Sequence, residues 1–234
     1  MVDIPLRGEL WDNDSTDILR FWGWRDITAP MDIQAALEAA DGDEVTLLIN
    51  SPGGDMSVGG EIRSMLRRYS GRTIALYQGY GASAATLAAA GCDVIQSEPG
   101  ALLCYHNPSG TAQGDYNAMD RFSEALRNAR DCILEMYEAR QGTRSREELI
   151  ALMDRDIWIP PSQALEYGLI DEIVSLDGQE EDPAAFVAAV GGRIRLTAVM
   201  RQRYQEHMAA EQEAARRMEQ ARRALARIRS LASY

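Results

Sequence analysis

The chain has 234 residues and a formal net charge of −12, and all 24 of its basic residues are arginine. The acidic balance argues against nucleic acid as a main partner. The absence of lysine removes Ser–Lys dyads, Schiff-base chemistry and the P-loop lysine in one step. No apolar run approaches the ~20 residues that span a bilayer. The opening MVDIPLRGELWDNDSTD has neither the basic flank nor the apolar core of a signal peptide, so a cytoplasmic protein without a membrane partner is expected. Cys92, Cys104 and Cys132 lack CxxC spacing and read as reduced, mostly buried thiols rather than metal ligands or disulfides.

In chain order, Val2 to Trp11 reads as a strand, followed by a polar Asp/Asn/Ser stretch. Ile33, Ala36, Leu37 and Ala40 then recur at helical spacing and are closed by Gly42. EVTLLINS is a short apolar run expected to be a strand that ends in the turn former SPGG. GEIRSMLRRYS is an amphipathic helix and RTIALYQ another strand. After the small-residue segment GYGASAATLAAAG come DVIQS and ALLCYHN, both strand-like, separated by the turn EPG. The polar segment PSGTAQGDY leads into a long helix from about Asn117 to Arg140, and REELIALMD is a short helix. PSQALEYG opens with proline and closes on glycine, matching the asymmetry of helix ends. SLDGQEEDPAAF reads as a linker, and the segment from Leu196 to Ser230 as a long helix with a thin apolar stripe. Strand and helix alternate, which indicates an α/β domain with at least partly parallel strands.

A serine hydrolase requires a presented hydroxyl, a base, an orienter for that base, and N–H donors for the oxyanion. Ser83 stands among alanines and glycines where a strand hands over to a helix, so a carbonyl could approach it closely. The same position also suits a plain helix N-cap. Only two histidines exist. His207 lies between Glu206 and Met208 in the tail, whereas His106 ends an apolar strand beside a loop, where catalytic groups are often mounted. His106 could equally be a satisfied core histidine. In DRDIWIP, Asp156 enters an apolar run and is the better candidate than Asp154 for a partly buried carboxylate, with an ion pair to Arg155 as the ordinary alternative. Gly53 and Gly54 in NSPGGD can expose N–H groups with no side chain in the way, or can simply make a tight turn.

The order and spacing of these segments resemble the ClpP family of serine peptidases. LLINSPGGDMSVGG is similar to that family's SPGG strand–turn–helix, GYGASAATLAAAG to its nucleophile segment, LLCYHNPSG to its histidine segment, and RDIWIPPSQALEYGLIDEIV to its C-terminal signature. The resemblance runs from about Asp32 to Val174. It implies a Ser83–His106–Asp156 triad and an oxyanion hole from the backbone N–H groups of Gly54 and Ala84. Substrate would then lie as an added strand beside Gly53, Gly54, Asn107 and Pro108. It also implies a crotonase-like stack of ββα units over residues 1–175, a handle at about 109–141, and no cofactor or metal. The partners implied are protein or peptide substrates and further copies of the chain, in a ring or stacked heptamers.

Two features depart from the cellular members of that family. The axial-loop region that engages an unfoldase has no counterpart in MVDIPLRGELWDNDSTDILRFWGW. A helical extension, 196–234, follows a linker at 176–195; residues 194–234 carry a net +5 against −17 for the rest. Both departures resemble the ClpP-like proteases of tailed bacteriophages and prophages, which mature capsids inside the host cell or prohead. The resemblance implies a scaffold or capsid partner for the extension. A crotonase-type acyl-CoA enzyme would share the fold but leave the Ser/His/Asp set unexplained. A signal-peptide-peptidase-like enzyme would need the missing lysine, and a non-catalytic structural subunit would carry the same residues.

Overall fold

Val45–Leu47 and Thr73–Ala75 are each buried in succession, as in strands covered on both faces, whereas Val2–Leu10 alternates buried with more exposed residues. The computed structural model describes residues 1–174 and, beyond them, Arg216 alone. The linker and the helical extension expected after residue 175 therefore lie outside the described residues, and the first compact unit of the chain ends at Gly178. The main sheet has the order β2-β1-β3-β4-β5-β8, formed by Ile27–Thr28, Val2–Leu10, Val45–Gly54, Thr73–Ala82, Val94–Ser97 and Glu172–Ile173. All these pairs are parallel. The α/β class expected from the sequence is the one observed.

One strand branches. The first half of β4, Ile74–Tyr77, pairs with β5, while its second half, Tyr80–Ala82, pairs with β6 (Leu102–Cys104). Two strands thus share one edge of β4, and β6 in turn pairs antiparallel with β7 (Trp158–Ile159). The far end of β4 stays paired with β3 through Ser51 and Gly81, so the branch adds β6 and β7 beside it in place of β5.

The helices are α1 (Asn13–Phe21), α2 (Pro30–Ala40), α3 (Met56–Arg68), α4 (Ala84–Ala89), α5 (Tyr116–Glu138), α6 (Arg146–Met153) and α7 (Pro161–Glu166). Every residue of α4 is buried, and its alanines let α3 cross closely: a Cβ on Gly59 would stand 2.4 Å from the Ala84 carbonyl oxygen. In α5 the only buried residues are Ile133, Leu134 and Tyr137, so its last turns dock on the core.

Three expectations change. The polar stretch after β1 forms α1, started by Asp12, whose carboxylate accepts the Ser15 N–H at 2.9 Å. The helix had no readable core face because Ile18 and Phe21 are exposed at 61% and 82%. SPGG is not a turn that ends β3; the strand continues through Gly54, where Glu9 and Leu10 of β1 pair with Gly53 and Gly54 after a register shift. The helix expected from Gly60 begins at Met56, because Asp55 caps it by accepting the Ser57 N–H at 2.7 Å.

Leu103, fully buried at the centre of the three-residue β6, holds that strand in register. Leu103→Ala should lower unfolding stability by about 2–5 kcal/mol in urea titrations, with an unchanged m-value.

Candidate active site

Four chain segments converge at the carboxyl ends of β3, β4 and β6, the end of a parallel sheet where ligands characteristically bind. Gly53 and Gly54 close β3 with φ of +95° and +151°. A Cβ on Gly53 would lie 2.5 Å from Ser83 Cβ, and one on Gly54 would lie 2.3 Å from the Leu10 carbonyl oxygen. Glycine is required at both by conformation and by space.

Ser83 joins β4 to α4 with φ 54° and ψ −128°. For a residue with a Cβ this conformation costs about 1–3 kcal/mol and persists only when its surroundings impose it. Its N–H donates to the Cys104 carbonyl at 3.0 Å, and its own carbonyl accepts from the Thr86 N–H at 2.9 Å and the Thr86 hydroxyl at 2.6 Å. The Ser83 side chain makes no capping hydrogen bond. Its hydroxyl is therefore not serving as the helix cap that the sequence also allowed. Ala84 is the first residue of α4, and the first N–H groups of a helix have no partner within it.

His106 lies just beyond β6 and is half-buried. A pocket of about 350 Å³ is lined by Gly54, Ser83, Ala84, His106, Asn107 and Pro108, together with Met56, Leu87, Ile133 and Tyr137. The structure thus gathers six of the residues singled out in the sequence around one space. Gly53 lies behind Ser83 rather than in that lining. The apolar residues Leu87, Ile133 and Tyr137 were missed by sequence reasoning. Leu87 had a signal, since it stands one helical turn from Ser83; Ile133 and Tyr137 had none, because nothing local links α5 to this end of the sheet.

Asp156 differs from expectation. It is exposed rather than partly buried, and it adopts φ +47°. The chain leaves α6 at Met153 and turns outward, with the Asp156 N–H donating to the Met153 carbonyl at 3.3 Å; in the apolar run it enters, only Ile159 is fully buried. Among the described residues no hydrogen bond joins Ser83 to His106 or His106 to Asp156, and no ion pair involves Asp156. The register nevertheless relates the two. Leu103 faces Ile159 and Cys104 faces Trp158, so the segments that carry His106 and Asp156 leave the same end of this two-pair antiparallel ladder. Asp154 is engaged elsewhere, accepting from the Asn107 amide at 2.8 Å and so tethering the segment that follows His106.

Cys104 ends β6 two residues before His106. Burial, and then the negative charge of Asp156, push its thiol up to about 11, so it remains protonated near neutrality.

The Clp protease family model matches residues 28–177. The chain belongs to the Clp protease family. It is 34% identical over 143 residues to the ATP-dependent Clp protease proteolytic subunit of Mesostigma viride, covering 57% of this chain and 62% of that protein. It is 28% identical over 138 residues to proteolytic subunit 1 of Chlamydia trachomatis serovar D, covering 57% of this chain and 71% of that protein. With proteolytic subunit 2 of Pseudomonas aeruginosa it shares 26% identity over 152 residues, 64% of this chain and 74% of that one. The Clp protease match takes in Gly54, Ser83, His106 and Asp156 and leaves α1 outside.

The buried thiols give a check on this packing. Cys92, pushed up to about 12 by burial, and Cys104 should resist iodoacetamide at pH 7.5 in the native protein, and both should alkylate once urea is added, read by peptide mass spectrometry.

Proposed function

We propose that this chain is a serine endopeptidase in which Ser83 attacks the scissile carbonyl and His106 takes its proton. Asp156 fixes the imidazole tautomer and stabilises the imidazolium. The Gly54 and Ala84 N–H groups hold the oxyanion, each such donor being worth about 3–4 kcal/mol of barrier, and water then releases the acyl-enzyme. An extended peptide would add along Gly53–Gly54 on one side and Asn107–Pro108 on the other. The observation that carries the reading is the single pocket in which a strained Ser83, its neighbour Ala84, Gly54 and His106 face one another. Family membership supports it. Catalysis then requires the Ser83–His106 and His106–Asp156 hydrogen bonds to form. Apo sites often make these bonds only on binding, and assembly into a homo-oligomeric ring could supply the same ordering.

The biological setting has two readings. In the first, the protease processes scaffold or capsid proteins during phage head maturation, with the basic extension binding an acidic partner. The contrast of +5 on residues 194–234 with −17 elsewhere favours this reading, as does the N-terminal region without an axial-loop pattern. In the second, it works with an ATP-driven unfoldase, a reading supported by its similarity to the proteolytic subunits of ATP-dependent Clp proteases.

Ser83→Ala should leave folding and assembly intact and abolish both peptide hydrolysis and fluorophosphonate labelling. Labelling that persists in the variant would assign the nucleophile elsewhere. Deleting residues 196–232 should spare cleavage of a short peptide and abolish co-assembly with scaffold or capsid protein. Equal loss of both activities would remove the extension from the docking role.

A further inference from the structure

Within α4 the side chains are Ala, Ala, Thr, Leu, Ala, Ala, all buried. Thr86 is its single polar side chain, 1% exposed. A buried hydroxyl needs a partner, and Thr86 has two. It donates to the Ser83 carbonyl at 2.6 Å, and it lies 2.7 Å from the hydroxyl of Tyr137 on α5. The direction of the second bond follows from the first. A carbonyl can only accept, so the one proton of Thr86 is committed to Ser83, and Tyr137 must donate to Thr86 Oγ1. The result is a directed chain, Tyr137 O–H to Thr86 O–H to Ser83 C=O, in which each bond polarises the next.

Threonine commonly bonds back to a carbonyl three residues earlier in a helix, so the inner bond alone would be ordinary. The outer bond is not local: Tyr137 comes from 51 residues away and is buried, with its ring edge-on to Tyr105 at 5.6 Å. Burial also raises the Tyr137 hydroxyl above its usual value, so it stays a donor at any working pH. Ser83 itself needs such a device. It holds φ 54° without a glycine's freedom, its N–H is tied to Cys104, and its carbonyl is the remaining handle on its ψ torsion.

We propose that Thr86 and Tyr137 are positioning residues that hold the Ser83 backbone in its left-handed conformation and so aim the hydroxyl into the pocket. The proposal rests on Ser83 being the nucleophile for its kinetic consequence, but not for its structural one.

The test uses the full chain with Thr86→Val, Thr86→Ser, Tyr137→Phe and the Thr86→Val/Tyr137→Phe pair, assayed on a fluorogenic peptide and by crystal structures. Thr86→Val keeps the shape and removes the hydroxyl; kcat should fall about tenfold with KM within about twofold. Thr86→Ser retains the hydroxyl and should recover most of kcat. Tyr137→Phe, which strands no buried polar atom, should cost about threefold, and the double variant should match Thr86→Val because both act on one chain of bonds. Equal losses in the Val and Ser variants would assign the effect to packing and overturn the proposal, as would an unchanged kcat in Thr86→Val. If the parent protein neither cleaves peptides nor labels at Ser83, the peptidase reading fails, and the structures still decide this one. Ser83 leaving the left-handed region in Thr86→Val but not in Thr86→Ser supports the proposal; Ser83 keeping it in both overturns it.

Discussion

The Ser83 N–H bonded to the Cys104 carbonyl is the interaction on which the site depends. It is the last rung of the β4–β6 ladder, which pairs Ala82 with Cys104, and it exists only because β4 changes partners part-way along. The branch brings the end of β6 alongside the end of β4. A slip of one residue would reverse the facing of every side chain beyond it, carrying His106 away from Ser83. With three residues in β6, backbone hydrogen bonds alone are a weak guarantee of register. The burial of Ala101 and Leu103 at full depth supplies the rest.

The same region explains the density of glycine and alanine. Around Ser83 glycine backbone packs directly against its neighbours: Gly53 against Ser83 and the Ala84 N–H, Gly59 against the Ala84 carbonyl, Gly81 against the Tyr77 ring. Close packing of this kind leaves few voids and transmits strain instead of absorbing it. It is therefore a suitable setting for a residue held in a disfavoured conformation, because relaxing Ser83 would drive atoms into neighbours that cannot move. Small residues serve here to bring main chain to main chain, where N–H groups and a nucleophile can be held in fixed relation.

Much of this was legible in the sequence because the signals were local. Alternating strand and helix patterns recovered β1, β3, β4, α2, α5, α6 and α7, with boundaries shifted by a few residues, and residues of three of the four motif segments line one pocket. What was not legible depended on distant contacts. SPGG reads locally as a turn, yet pairing with Glu9 and Leu10 keeps it extended. The segment 12–24 carries a capping aspartate, but its apolar residues face outward, so periodicity against a core could not reveal α1. The pairing of Thr86 with Tyr137 was not legible, since 51 residues separate them.

The site divides physically into a fixed half and an adjustable half. Ser83, Ala84 and Gly54 are built into crowded backbone, and moving any of them means repacking α3, α4 and β1 together. His106 follows the end of β6 and Asp156 precedes β7, and the β6–β7 ladder beside them has two residue pairs. Asp156 is exposed and held by one backbone bond from its own N–H. The energetic asymmetry is large: rearranging the first half breaks a core, whereas rearranging the second turns a few torsions near the surface. Nucleophile and oxyanion donors gain most from rigidity, because misplacement there weakens stabilisation of the developing charge directly. An acid–base pair can instead be brought into line as substrate or a neighbouring subunit orders the strand ends. In the proposed triad, bringing His106 and Asp156 into line therefore costs less than moving Ser83.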